Sequence, residues 1–180
     1  VTGLIMLGEI FQQKGWLDEA IERFEAAFGV DPQQLTPVIQ LGAMYKEKGD
    51  LDSAKKWFTK AIDLDAGTPV ATDFFANLSA NHRHQEIGET LAKAEEAEKT
   101  GDIDTAIMHY DAVIDLDSKN LQARYHLGRL YESKHMYDEA AFEYEQALTI
   151  DTKLQYKDVT TRLGDLYIRK GKITEAVEVL

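Results

Sequence analysis

The chain contains no cysteine. A disulfide, a thiolate zinc site and a thiol nucleophile are therefore excluded from this stretch, although the compartment is not decided by that. Proline is scarce too: three in 180 residues, with no low-complexity tract. Hydrophobic residues make up 44% of the chain, enough for a folded core, so disorder is not expected. No apolar run approaches the ~20 residues that cross a bilayer, and no secretory signal pattern is visible. Basic residues are outnumbered, 20 against 32 acidic ones, which leaves a formal net charge of −12. Sequence-independent binding of nucleic acid or of an anionic membrane needs clustered Lys and Arg. Neither partner is expected here. The acidity reads as solvated helix faces, as in Glu95-Glu96 and Asp138-Glu139.

Catalytic constellations are also missing. The glycines stand singly, so no phosphate-cradling loop exists. There is no Gly-x-Ser-x-Gly and no Ser/His/Asp arrangement. His82-Arg83-His84 resembles a metal motif in composition only. Two histidines two residues apart point to different sides of a helix, and no third ligand is placed by spacing. No metal, cofactor or catalytic residue is assigned.

What the chain does contain is a spacing. Leu-Gly followed three residues later by an aromatic occurs at Leu7-Gly8-Phe11, Leu41-Gly42-Tyr45, Leu127-Gly128-Tyr131 and Leu163-Gly164-Tyr167. The first two copies lie 34 residues apart. A second half follows each: Gly15, Ala20 and Phe24, then Gly49, Ala54 and Phe58. Leu7 and Phe11 fall on one helix face. Gly8 lets a neighbouring helix approach. Gly15 suits the left-handed residue that ends a helix, and Asp18-Glu19 suit the first turn of the next. Neither helix of such a pair can bury its apolar face alone, so the pairs must stack.

These residues resemble the tetratricopeptide repeat (TPR) family. The resemblance implies an all-α, right-handed α-solenoid of helix-turn-helix hairpins. Residues 1–68 hold two repeats. A third, 87–120, has Ala94 for the glycine and Ala97 for the aromatic, then a regular second half of Gly101, Ala106 and Tyr110. A fourth spans 121–154, with His135 in the turn-glycine place, where a looser turn is expected. A fifth begins near 157, after the spacer Gln155-Tyr156, and is truncated at Leu180. The chain reads as a fragment of a longer protein. Residues 69–86 are an insertion: Gly42 and Ala94 lie 52 apart, one repeat plus 18. Val70, Phe74, Phe75 and Leu78 form a stripe out of phase with Ile87, Leu91 and Ala94. That predicts a helix over 69–80, a break at 81–84, and burial of Phe74, Phe75 and Leu78 against repeat two and the start of repeat three. A capping helix, a hinge and a segment that fills the groove all fit this stretch. Trp16 and Trp57 lie off the main packing positions and read as partly buried against an adjoining repeat, with partner anchoring as the alternative.

In this family the first helices of successive hairpins line a groove that holds another protein. The Lys and Asn clamp of members that bind chaperone C-termini is missing: Ile5 and Glu9 stand in those places. The first half of the implied groove is apolar and neutral; the second half gathers Tyr125, His126, Arg129, Arg162 and Arg169. These five are the candidate partner-binding residues, for a ligand with carboxylates or phosphates beside an apolar group. Pairing of Arg129 and Arg162 with Glu132, Asp158 and Asp165 is the competing expectation. The implied function is a non-enzymatic protein-interaction scaffold with a protein or peptide partner. A self-associating homo-oligomer, or a substrate-selecting array attached to a catalytic domain outside these residues, are the alternatives.

Overall fold

The structure is a computed structural model that describes residues 1–150 and 156–180. Among the described residues it is all helix, in ten segments. Four make two hairpins: α1 (Thr2–Gln13) with α2 (Leu17–Val30), and α3 (Leu35–Glu47) with α4 (Leu51–Leu64). Next come α5 (Pro69–Thr100) and α6 (Ile103–Leu116), then α7 (Leu121–Ser133) and α8 (Tyr137–Ile150). The last pair is α9 (Val159–Arg169) and α10 (Ile173–Val179). Packing divides the chain into two compact units, Val1–Asn81 and His82–Leu180.

The hairpins form for the reasons the spacing gave. Gly15, Gly49, Gly101 and Gly171 all take positive φ, between 73° and 79°, where glycine has no Cβ to clash. In each turn the amide of the residue after the glycine reaches back to a carbonyl, as Trp16 N does to Phe11 O at 2.9 Å. His135 was expected to loosen its turn and does not. It takes φ 61°, and Met136 N still donates to Tyr131 O at 2.9 Å. The same bond forms, with an L-residue carrying the left-handed strain. Asp50, Asp102 and Asn120 cap α4, α6 and α7 by accepting from Ser53, Thr105 and Ala123 amides.

Close approach explains the helical glycines. A Cβ on Gly42 would stand 2.7 Å from the Phe58 ring, and one on Gly128 would stand 2.4 Å from the Tyr144 ring. Ala20, Ala54, Ala106 and Ala140 are fully buried at the crossing points. Leu41, Leu127 and Leu163 are buried as the repeat requires, but Leu7 is 38% exposed. Leu41 sits in one core with Ile21 and Phe24 of the helix before it.

Two ladders join consecutive hairpins inside each unit. Lys48 pairs with Asp18 at 2.6 Å, and Lys134 with Asp104 and Lys170 with Asp138 repeat that pair. Tyr45 donates to Glu25 at 3.1 Å and Tyr167 to Glu145 at 2.6 Å. Surface pairs of this sort contribute little individually; their recurrence fixes register.

The expected break in the insertion is absent. Helix α5 is helical from Pro69 to Thr100, through 81–84. Phe74 is buried, and Phe75 and Leu78 are partly so, all in the core of the first unit with Val38, Phe58 and Ala61. Packing against the start of repeat three, also expected, is not seen: Ile87, Leu91, Ala94 and Ala97 belong to a separate core around Tyr110 and Leu127. The two stripes of α5 belong to two separate cores, so stripes out of phase need no break. Residues 81–86 between those faces are exposed. Trp57 is half-buried and meets Phe28 of the preceding hairpin edge-on at 5.1 Å, as expected. Trp16 departs from expectation: it is 49% exposed, and its ring meets Phe11 and the Lys14 ammonium of its own hairpin. Gln155 lies outside the described residues.

Candidate functional site

The candidate residues lie in the second unit, on α7 and α9, with the second half of α5 as the first helix before them. Their geometry begins beneath the surface. Tyr110 and Tyr144 are fully buried rings, each on the second helix of its hairpin. Each sends its hydroxyl outward to a glutamate twelve residues earlier. Tyr110 donates to Glu98 at 3.1 Å, and Tyr144 to Glu132 at 3.2 Å. Burial, reinforced by those carboxylates, pushes both phenols above the usual tyrosine range. Each stays a donor.

Each glutamate then gathers a base from the next first helix. His126 Nδ1 lies 2.7 Å from Glu98 Oε2. A carboxylate only accepts, so the proton of that bond sits on Nδ1. The His126 ring stacks on Tyr110 at 5.1 Å. Arg162 stands at the matching place one repeat on. It donates to Glu132 at 3.0 Å and to Asp158 at 2.7 Å. The Asp158 hydrogen bond holds the Arg162 guanidinium above its ordinary value. Burial opposes ionisation of Asp158, but hydrogen bonds from Arg162 and Tyr125 outweigh it and hold its carboxyl below the ordinary value. Tyr125 donates to Asp158 at 2.9 Å, and its ring stacks on Tyr156 at 4.1 Å.

Four of the five candidates are thus brought into one network. Tyr125, His126 and Arg162 are its frame. Arg129 is at its edge: 3.8 Å from Glu98, 5.8 Å over the Tyr125 ring, with 43% of its side chain exposed. Arg169 stands outside it. Its recorded contact is with the Tyr137 ring at 5.9 Å, and it makes no ion pair among the described residues. The competing expectation, internal pairing, is realised for Arg162 with Glu132 and Asp158. It is not realised for Asp165, and Arg129 turns to Glu98 instead. Beside Arg169, Ile168 is exposed where Glu98 and Glu132 stand in earlier repeats.

Sequence reasoning missed four members: Glu98, Tyr156, and Tyr110 and Tyr144 as buried donors. The signal was there in part. Phe24 and Phe58 become Tyr110 and Tyr144 at the same repeat position, which announces a buried hydroxyl in need of a partner. A buried ion pair was missed as well. Arg124 meets Glu143 at 2.7 Å and donates twice to the Ser118 carbonyl. Leu4 and Val38 occupy the Arg124 place in the first two repeats. Burial pushes the Glu143 carboxyl up, against the pull of Arg124.

The repeat register seen in the helices is also recognised in the sequence. Two models described as tetratricopeptide repeat match, one over residues 91–154 and the other over 1–34 and 38–68. The chain belongs to the tetratricopeptide repeat family. No curated protein matches it in sequence. Among solved structures, the TPR domain of P58(IPK) is 16% identical with a TM-score of 0.51, over 99% of this chain and 58% of that one. MamA is 23% identical with a TM-score of 0.45, over 99% of this chain and 86% of that one. YrrB, described as a TPR protein with an unusual peptide-binding site, is 19% identical with a TM-score of 0.41, over 98% and 80%. At these identities the likeness shows the TPR solenoid fold alone. Among the described residues, no three His, Asp or Glu side chains converge as a metal site, and no helix is long and apolar enough to cross a membrane.

Proposed function

We propose that this TPR array is a protein-interaction scaffold and that a partner segment docks on the α7 and α9 face. Arrays of this family are generally non-catalytic scaffolds. The observation that carries the reading is the unequal use of the basic side chains. Arg162 and His126 are held by carboxylates at bonding distance, whereas Arg129 and Arg169 keep donors to spare. A planar guanidinium can bond both oxygens of a carboxylate or phosphate. The exposed Ile168 beside Arg169 offers an apolar contact. The partner therefore carries an acidic or phosphorylated group next to an apolar side chain. The frame of Tyr125, His126 and Arg162 holds the helices in place before binding, which lowers the ordering cost.

The test starts from a partner captured with the whole chain. Arg129→Ala with Arg169→Ala should weaken its binding by about tenfold or more and flatten its salt dependence. Lys55→Ala with Lys56→Ala, on α4, should change nothing. Unchanged affinity in the arginine pair would move the site elsewhere.

Self-association has an observation of its own. Helix α1 shows Met6, Leu7 and Ile10 to solvent, whereas the matching Leu41 and Leu127 are buried. Such a stripe can pair copies. Sedimentation velocity across a concentration series separates the readings: a scaffold of this kind stays at one mass.

A further inference from the structure

The outer helices of the second unit carry a feature that the α7 and α9 face does not use. Met108 on α6 is 58% exposed and Phe142 on α8 is 53% exposed. They lie 34 residues apart, at the same position of consecutive repeats. Glu22, Lys56 and Glu178 hold that position in the other three. A lone exposed apolar side chain needs no explanation. Two in register, on helices that both pack against α7, form a patch with a direction.

The surroundings of this patch are acidic. Asp111 and Asp115 lie within two turns of Met108, and Glu139 and Glu145 within one turn of Phe142. None of these four carboxylates makes an ion pair among the described residues, although Glu145 accepts from Tyr167 at 2.6 Å and Asp111 from Tyr131, so each of those two keeps its charge with one neutral donor already in place. Lys134 and Lys170 are already taken by Asp104 and Asp138. Burial, and the neighbouring charge of Asp115, raise the Asp111 carboxyl. The corresponding outer helix of the second repeat differs: α4 carries Lys55, Lys56 and Lys60.

We propose that the outer face of α6 and α8 is a second docking surface, and that it takes a basic amphipathic helical segment of a protein partner. Met108 and Phe142 receive the apolar face of that segment. The carboxylates around them meet its Lys and Arg residues, which steers encounter and fixes orientation. Such a partner is opposite in charge to the one expected on α7 and α9, so the two surfaces select different segments.

The probe is a short fluorescein-labelled peptide of leucine and lysine in an amphipathic helical pattern, titrated by anisotropy against the whole chain. Met108→Ser with Phe142→Ser keeps the charge, and its melting should match the parent because both side chains are exposed. The double variant should bind at least about tenfold more weakly. Arg129→Ala should bind as the parent does, and a peptide with glutamate for lysine should not bind. Equal affinity in the double variant would show that charge alone holds the peptide and would overturn the proposal. So would a parent chain that fails to bind it. A parent that dimerises in sedimentation, with a Ser/Ser variant that does not, would assign the patch to a second copy and overturn it too.

Discussion

The hairpins of the first unit and those of the second differ at one buried ring. Phe24 and Phe58 press on Gly8 and Gly42; Tyr144 presses on Gly128 in the same way. Volume is served equally by both. The phenol oxygen is what the second unit adds. It reaches Glu98 or Glu132, and the glutamate in turn holds His126 or Arg162 from the following helix. Gln12 and Lys46 stand at the glutamate positions in the first unit, over rings with nothing to donate. The difference teaches that a core position can decide the chemistry of the surface above it. The ring sets the packing, and the hydroxyl decides whether the face carries fixed charge.

The strongest way to break this contrast is at the buried pair of Glu143 with Arg124, which stands where the first two repeats have Leu4 and Val38. Glu143→Ala leaves the Arg124 guanidinium buried without its partner and should cost roughly 3–5 kcal/mol in chemical denaturation. Replacing both, with Arg124→Leu and Glu143→Leu, should recover most of that, because neither charge is then left buried alone. A double variant no more stable than the single one would contradict the reading.

The contrast sharpens by transplanting the tyrosine. Phe58→Tyr buries a hydroxyl above Lys46, which cannot accept, and should cost about 1–3 kcal/mol. Adding Lys46→Glu supplies the acceptor at the spacing of Glu132 and Tyr144 and should return most of the loss. If Lys46→Glu gives no rescue, the spacing is not what builds the network.

Smaller effects follow in the turns and the titrations. His135→Gly should raise stability by about 0.5–1 kcal/mol, because glycine adopts the positive φ without strain. The loss of the His135–Tyr137 contact at 2.9 Å works against it, so the net gain in melting temperature is modest. Asp158 gives the pH test. Its folded carboxyl sits below the ordinary value, so its contribution is present above the unfolded pKa and is lost as pH falls through the folded one. That window lies below the usual aspartate range. A carbonyl NMR titration should show Asp158 ionising at unusually low pH, and Arg162→Ala should move it upward.

Much of this architecture was legible in the residues. The turn glycines, the small residues at crossings and the boundaries of the regular hairpins follow from local rules: positive φ, absent Cβ and helical period. Two expectations failed, and a third was met only in part. The continuity of α5 could not be read from its stripes, because phase records which neighbours a helix meets and not whether it bends between them. The strained turn at His135 could not be read either. A single poor residue is overruled when two packed helices fix the geometry around it. The pairing of the arginines depended on which carboxylate each one reached across helices. Sequence position named the face, but Glu98 entered it from a repeat whose first half is irregular.

The central claim is that the second unit, through Arg129 and Arg169, is where a partner segment binds. Backbone amide NMR of the whole chain, titrated with the captured partner segment, tests it most directly. The account predicts shifts concentrated at Arg129, Ile168 and Arg169, smaller changes at Tyr125 and Arg162 as the frame adjusts, and none over Thr2–Glu47. Shifts confined to Thr2–Glu47, with α7 and α9 silent, would contradict it.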